Sequence, residues 1–292
     1  NVNSSPLRYP GGKGKIAPFI KMLIKNTGNQ NPVYIEPFAG GAGVAIELLL
    51  QDEVDEIVIN DYDKAIYSFW RALIHESNRL LDLIEKTPVS IEEWRKQKDI
   101  YLNEGHKYSI ELAFATFFLN RTNRSGILKA GPIGGFDQKG NYLIDARYNK
   151  KELIQRMEKI CNQKKRIKVT NKEVISFIDN VIPKYEKGFV YFDPPYYHKG
   201  PELYKNFFSE KDHQILAKKI TESVKCDWIV TYDLTDEIVR LYQDYDTKKF
   251  DLNYSVVNGR KKSEILVVKK PEYINGKIKT NNKINLRELY EE

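Results

Sequence analysis

The chain has 292 residues, 41% hydrophobic and 30% charged, with 47 Lys+Arg against 40 Asp+Glu and a formal net charge of +7. An apolar share of that size, with 12% aromatics, excludes disorder over most of the length, and no run approaches the ~18 apolar residues of a membrane span. Cys161 and Cys226 alone exclude a disulfide framework and a cysteine-based zinc site, and Asn1-Val2-Asn3-Ser4-Ser5-Pro6 has no apolar signal core, so a cytoplasmic enzyme is expected.

In chain order, the first block is Arg8-Tyr9-Pro10-Gly11-Gly12-Lys13-Gly14-Lys15. Ile16 follows where a phosphate-binding loop needs Ser or Thr, and no strand precedes, so the block reads as a lid offering Tyr9 to a ring and Lys13 to a carboxylate. Val33–Glu36 is a short apolar strand, followed by a glycine turn at 39–43 and a helical stretch at 44–50. Glu56–Asn60 is a second buried strand; strand, turn, helix and strand make a βαβ unit and imply a parallel sheet. Residues 63–118 read as largely helical, with Ile66, Phe69, Trp70 and Leu73 at threes and fours. Residues 120–148 read as a glycine-rich basic loop, and a helix resumes near Lys150. Strands are expected at 166–170, Gly188–Phe192 and 228–231, and an amphipathic helix at 212–223. Residues 254–257 and 264–268 should pair as a hairpin about Asn258-Gly259, and 286–292 should form a short helix in a polar tail. The expected organisation is one α/β domain from 1–62 and 155–270, an inserted unit at 63–154, and a tail at 271–292.

The sharpest chemical signal is Asp193-Pro194-Pro195-Tyr196, directly after the apolar run Gly188–Phe192. Two prolines cannot continue a ladder, so the chain must leave the sheet at its carboxyl edge, where open α/β proteins bind ligands. A carboxylate, a fixed Pro194 carbonyl and the Tyr196 face suit a planar ring bearing an exocyclic amine. The second signal is Glu36-Pro37-Phe38-Ala39-Gly40-Gly41-Ala42-Gly43, whose glycines admit a ligand close to the backbone and a helix N-terminus. Asp61, at the end of the next strand, can accept both hydroxyls of a ribose. His213 reads as structural, and His75 and His106 lack metal-ligand spacing, so no metal is assigned.

These motifs, in this order, resemble the D12-class N6-adenine-specific DNA methyltransferases, over residues 7–269. Asn60-Asp61, Leu203-Tyr204, Phe207, Asp212-His213 and Glu264-Ile265-Leu266 also follow the pattern. The resemblance implies a Rossmann-like methyltransferase sheet with an inserted, mostly helical DNA-recognition domain, and S-adenosylmethionine as methyl donor. It implies that Tyr9, Lys13, Pro37, Phe38, Ala39, Gly40, Gly41, Gly43, Asp61 and Asp193 form the cofactor pocket, and that Asp193, Pro194, Pro195 and Tyr196 hold the target base. Direct methyl transfer to N6 of an adenine flipped out of the duplex then follows. A cytosine-C5 reaction needs a Cys nucleophile, usually after Pro, whereas Cys161 follows Ile160 and Cys226 follows Lys225.

For reading DNA, Arg suits guanine edges, Asn suits adenine edges and Lys suits phosphates, which selects Asn120, Arg121, Asn123, Arg124, Ser125, Lys129, Arg147 and Lys150. Residues 125–135 depart from the Phe-Asn-Val-Pro-Phe-Gly type of the GATC methylases, so that target is not carried over. Double-stranded DNA is the expected partner, a separately encoded cognate restriction endonuclease the expected companion, and a monomer of bacterial or phage origin, away from membranes, the expected state. Residues 120–172 carry 14 Lys+Arg and 4 Asp+Glu, a local +10, so the rest of the chain sums to −3. The charge sits where a nucleic-acid backbone would need it. Three rivals remain: an amino-methyltransferase acting on cytosine N4, RNA or protein glutamine; a non-catalytic DNA-binding regulator of the same fold; and an NTP-binding protein using residues 11–15.

Overall fold

The computed structural model describes residues 4–9, 14–104, 107–197, 208–257, 260–274 and 284–287. Lys13, Leu203-Tyr204, Phe207, the Asn258-Gly259 connection, and residues 275–283 and 288–292 of the tail lie outside the described residues.

The elements alternate at both ends of the chain. They run α1 (Ala17–Asn26), β1 (Val33–Glu36), α2 (Gly43–Leu50), β2 (Glu56–Asn60), α3 (Lys64–His75), α4 (Ser77–Lys86), α5 (Ile91–Asn103) and α6 (Ile110–Thr122). Then come α7 (Lys150–Cys161), β3 (Ile167–Thr170), α8 (Val174–Asn180), β4 (Gly188–Phe192), α9 (Glu210–Ser223) and β5 (Asp227–Asp233). The chain continues through α10 (Asp236–Leu241), β6 (Asp246–Val257), β7 (Arg260–Val268) and β8 (Ile284–Arg287). One sheet joins all the strands in the order β3-β2-β1-β4-β5-β7-β6-β8. The five strands from β3 to β5 are parallel and the last three antiparallel, a Rossmann-like parallel sheet extended by an antiparallel end. Strand order reverses between β1 and β4, and the crevice outside their carboxyl ends is the place where such a sheet receives ligands.

Alternation along each strand divides the core. Tyr34, Ile57, Ile59 and Tyr191 face a layer built from α1 to α7, whereas Ile35, Val58, Val190 and Phe192 face α8, α9 and α10. Most of the helices start where the sequence supplies a capping side chain. Asp63 accepts the Ala65 amide, Ser90 the Glu93 amide and Ser109 the Leu112 amide, and Ser209 forms a capping box with Asp212. Helix α6 is apolar nearly all round, so it is buried nearly all round, with Glu111 its one exposed residue. Helices α3 to α6 share the core of the sheet's first face rather than forming a core of their own.

Three expectations change. Asn120, Arg121 and Thr122 are the last turn of α6 and not the start of a loop, because Phe117–Leu119 carry the helix on into the core. Leu286 and Arg287 belong to β8, paired with Phe250 and Lys249 of β6, and not to a helix. The hairpin is longer than expected, running over β6 and β7 with a register shift between Asp251 and Val256. Helices α1, α8 and α10 were not foreseen. Among the described residues, no helix is long and apolar enough to cross a membrane.

Candidate active site

Three carboxylates stand at the carboxyl edge of the parallel strands: Glu36 ends β1, Asp61 follows β2 and Asp193 follows β4. In the β4–β5 register Phe192 faces Val230, so Asp193 comes out beside Thr231. The Thr231 hydroxyl donates to Asp193 Oδ1 at 2.9 Å and lies 2.9 Å from the Tyr191 hydroxyl. A hydroxyl has one proton to give, so with Thr231 donating to Asp193, Tyr191 is the donor to Thr231. The rest of the tetrapeptide is anchored on the same side. Tyr196 Oη donates to Glu264 of β7, and the Tyr197 amide donates to Asp233 Oδ1 at 2.8 Å. Pro194 is buried, while Asp193, Pro195 and Tyr196 are half-buried.

The turn after β1 is equally fixed. Gly40 has φ +51°, and a Cβ there would lie 2.7 Å from the Tyr9 ring, so only glycine lets that ring lie across the turn. Trp70 Nε1 donates to the Gly40 carbonyl at 2.9 Å, and the Gly40 amide donates to Asp61 Oδ2 at 2.8 Å. The other Asp61 oxygen accepts the Asp63 amide at 2.9 Å. Burial, reinforced by Asp63, pushes the Asp61 carboxyl up to about 7. Glu36 accepts from Tyr34 Oη at 2.8 Å and from the Ala45 amide of α2 at 3.1 Å. Burial raises its carboxyl to about 8; the two hydrogen bonds oppose that shift, and the charge of Asp193 adds to it. Buried Asn60 ties the crevice floor together, donating to the carbonyls of Pro37 and Lys172 and accepting from Thr170 and the Lys172 amide. Pro37, Ala39 and Gly41 are buried beside it, Gly43 opens α2, and Phe38 meets Phe208 edge-on at 5.8 Å.

The residues expected to read DNA divide into two groups. Asn120, Arg121 and Asn123 are buried and committed to partners within the protein, which corrects their assignment to base contacts. Asn120 holds both the amide and the carbonyl of Arg8, Arg121 donates to the Pro6 carbonyl, and Asn123 accepts from Trp94 Nε1 while donating to the carbonyls of Ile127 and Leu128. Burial, with Arg156 and Arg8 nearby, lowers the Arg121 guanidinium to about 9. Arg124, Ser125, Lys129 and Arg147 are exposed. Lys150 is half-buried and donates to the carbonyls of Glu85 and Thr87, joining α7 to the end of α4. His213 is buried with Nδ1 2.7 Å from Tyr232 Oη, the structural place expected of it.

Residues 9–257 match the family of D12 class N6 adenine-specific DNA methyltransferases. The chain belongs to that family. This methyltransferase is 24% identical over 205 residues to the Type II methyltransferase M.MjaIII of Methanocaldococcus jannaschii, covering 65% of the chain and 68% of that protein. It is 25% identical over 206 residues to the Type II methyltransferase M1.LlaDCHI of Lactococcus lactis subsp. cremoris, covering 67% of the chain and 66% of that protein. The chain thus spans about two thirds of the length of each of these relatives. Among solved structures, the rRNA methyltransferase aviRa from Streptomyces viridochromogenes aligns with a TM-score of 0.43 at 12% identity, covering 89% of this chain and 86% of that one.

The methyltransferase is an enzyme that modifies adenine in DNA, with S-adenosylmethionine as its methyl donor. The crevice fits that donor. The Gly40 turn carries the Tyr9 ring, an aromatic face for a ligand beside it, and Asp61 is a desolvated carboxylate whose two backbone donors leave lone pairs for hydroxyls such as those of a ribose. Thr231, Tyr191 and Asp233 were missed as site residues, and Asn60 and Glu264 were noted only as following the family pattern. Their one sequence signal is a polar side chain within or closing a buried strand at the edge that carries Asp193.

Proposed function

We propose that the methyltransferase is site-specific and acts on an adenine rotated out of double-stranded DNA into the crevice between β4 and the Gly40 turn. The observation that carries this is the anchoring of Asp193: one oxygen is held by Thr231, and the chain after it is tied to Glu264 through Tyr196 and to Asp233 through the Tyr197 amide. In this reading Asp193 and the Pro194 carbonyl accept the hydrogens of the adenine amine, and Tyr196 covers the ring. Those two hydrogen bonds pull the amine out of conjugation and turn its lone pair towards the Gly40 side, where orientation rather than a strong base does the work. Tyr9, Lys13, the turn from Pro37 to Gly43 and Asp61 would hold S-adenosylmethionine, which would supply an electrophilic methyl group and leave as the neutral thioether S-adenosylhomocysteine once the sulfur–methyl bond breaks. The methylated amine sheds its proton, so no covalent enzyme intermediate is needed.

The cysteines support this over a cytosine-C5 reaction. Cys226 precedes β5, at the amino edge of the sheet, and burial raises its thiol to about 11; Cys161 ends α7 with its thiol also raised by burial. Exposed Arg124, Ser125, Lys129 and Arg147 are placed in the DNA-reading role, in the region 63–154 that serves recognition. A monomer and a separately encoded endonuclease complete the reading. The test is incubation of unmethylated genomic DNA with methyl-labelled cofactor, followed by digestion to nucleosides. Label in N6-methyladenine is expected; label in N4-methylcytosine, or none, overturns the proposal.

A further inference from the structure

Residues 4–9 form a strap between the recognition region and the Gly40 turn, and nearly every residue in it is held. Ser4 donates to Glu47 of α2, and Ser5 Oγ donates to the Gly41 carbonyl. Arg156 donates to the Ser5 carbonyl at 3.1 Å, and Arg121 donates to the Pro6 carbonyl. The Asn120 amide grips Arg8 at both of its backbone polar groups: its Oδ1 accepts from the Arg8 amide at 2.7 Å, and its Nδ2 donates to the Arg8 carbonyl at 2.5 Å. The same Nδ2 donates to the Gly126 carbonyl at 3.1 Å, inside the turn that displays Arg124 and Ser125. Arg8 returns the contact through Nη1 to the Asn123 carbonyl at 3.1 Å. A Cβ on Gly126 would lie 2.7 Å from the Arg8 carbonyl oxygen, and a Cβ on Gly40 would lie 2.7 Å from the Tyr9 ring. Two adjacent residues of the strap therefore fill two glycine-lined gaps, one in each functional region.

We propose that Asn120 is a positioning residue for the cofactor: its amide fixes the Arg8–Tyr9 peptide so that the Tyr9 ring lies on Gly40–Gly41, and it links that placement to the turn at 124–126. This rests on the reading of the Gly40 turn as the cofactor pocket. A buried amide whose two N–H bonds both go to backbone carbonyls has no donor left for a base edge, and two of the three groups it satisfies belong to Arg8, the neighbour of Tyr9. Loss of Asn120 leaves the Arg8 N–H and C=O without their partner, so the peptide reorients and the ring leaves the turn.

The test is titration of S-adenosylhomocysteine into the full chain without DNA, with thermal unfolding confirming that each variant is folded at the temperature used. Asn120→Ala should raise Kd about fivefold or more, as expected for roughly 1 kcal/mol. Under turnover with saturating DNA, KM for S-adenosylmethionine should rise similarly while kcat changes by less than about twofold, a split that general destabilisation does not produce. Gly126→Ala places its Cβ against the Arg8 carbonyl and should weaken the cofactor too, although it sits in the recognition turn; it carries the test if Asn120→Ala does not fold. Gly131→Ala would meet only the end of the Arg124 side chain, at 3.1 Å, and should bind like the wild type. Wild-type Kd in both Asn120→Ala and Gly126→Ala overturns the positioning role, as does equal weakening by Gly131→Ala. Gly40→Ala separates the two readings: weakened binding there alone leaves the pocket standing and removes the strap, and wild-type binding there removes the pocket assignment and the strap with it.

Discussion

Thr231 donates its hydroxyl to Asp193 Oδ1 at 2.9 Å, across the pair of central strands β4 and β5. With Tyr191 Oη 2.9 Å behind it, the hydroxyl has a fixed direction, and through it Asp193 has a fixed plane. An aspartate at the end of a strand otherwise rotates freely about its side chain, and a target amine needs an acceptor that is already aimed. The neighbouring strand therefore takes part in orienting Asp193, through Thr231.

Thr231→Val keeps the shape and removes the donor. A hydrogen bond to a charged group is worth about 1.5–3 kcal/mol, so kcat should fall roughly tenfold to a hundredfold. KM for S-adenosylmethionine should hold, and Thr231→Ser should restore most of the rate. A valine variant with wild-type kcat, or a serine variant as slow as the valine one, would remove the orienting role.

Asp193→Ala should abolish methyl transfer while the protein stays folded and binds DNA. Because Asp193 is half-buried at the crevice and not part of either apolar core, its loss opens no large cavity. Measured by transfer of labelled methyl groups, substantial residual turnover would sink the assignment.

The parallel sheet was legible because its central strands are buried on both faces and read as apolar runs bounded by glycine, proline and carboxylates. Asp193 and Asp61 were legible because they interrupt such runs at the edge where ligands bind. Asn120, Arg121 and Asn123 were misread because amide and guanidinium groups serve a base edge and a buried carbonyl equally well. Burial separates the two uses, and burial here depends on α6 being packed all round by α3, α4 and α5, contacts that no local pattern records. Strand β8 was missed for a similar reason: Ile284–Arg287 becomes a strand by pairing with Leu252–Lys249, a partner more than thirty residues away. Thr231 carried a weak signal, a hydroxyl inside the run Trp228-Ile229-Val230-Thr231, whose meaning depends on the register that sets it beside Asp193.

Glu36 should make stability depend on pH in an unusual direction. Its carboxyl rises from 4.5 to about 8 on folding, chiefly through burial, so the folded state keeps a proton that the unfolded state has lost. Its contribution is fully present below the unfolded value and is lost as pH rises through the folded one, with a slope approaching about 1.4 kcal/mol per pH unit. Asp61, raised from 3.8 to about 7, acts in the same sense. Glu36→Gln keeps an acceptor for Tyr34 and for the Ala45 amide and removes the titration. Its melting temperature should change less than that of the wild type between pH 5 and pH 8, in the absence of cofactor. Parallel profiles would show that Glu36 is ionised throughout.

The exposed cations should separate sequence choice from general DNA affinity. Arg124 lies in the turn where Ser125 has φ +55° and Gly126 φ +73°, a tight reversal that projects side chains outwards. Lys129 is exposed a few residues on, where a phosphate contact needs only a flexible charge. Arg124→Ala should relax the methylated motif in DNA sequenced from expressing cells, with cofactor Kd unchanged, because a forked donor on a guanine edge is worth about 1–3 kcal/mol of discrimination. Lys129→Ala should instead weaken binding evenly across sequences and reduce the slope of log Kd against log salt by about 1. An unchanged motif in the first variant would move recognition elsewhere on the insertion; an unchanged salt slope in the second would place the DNA backbone away from this loop, and the local +10 between residues 120 and 172 would then need another partner.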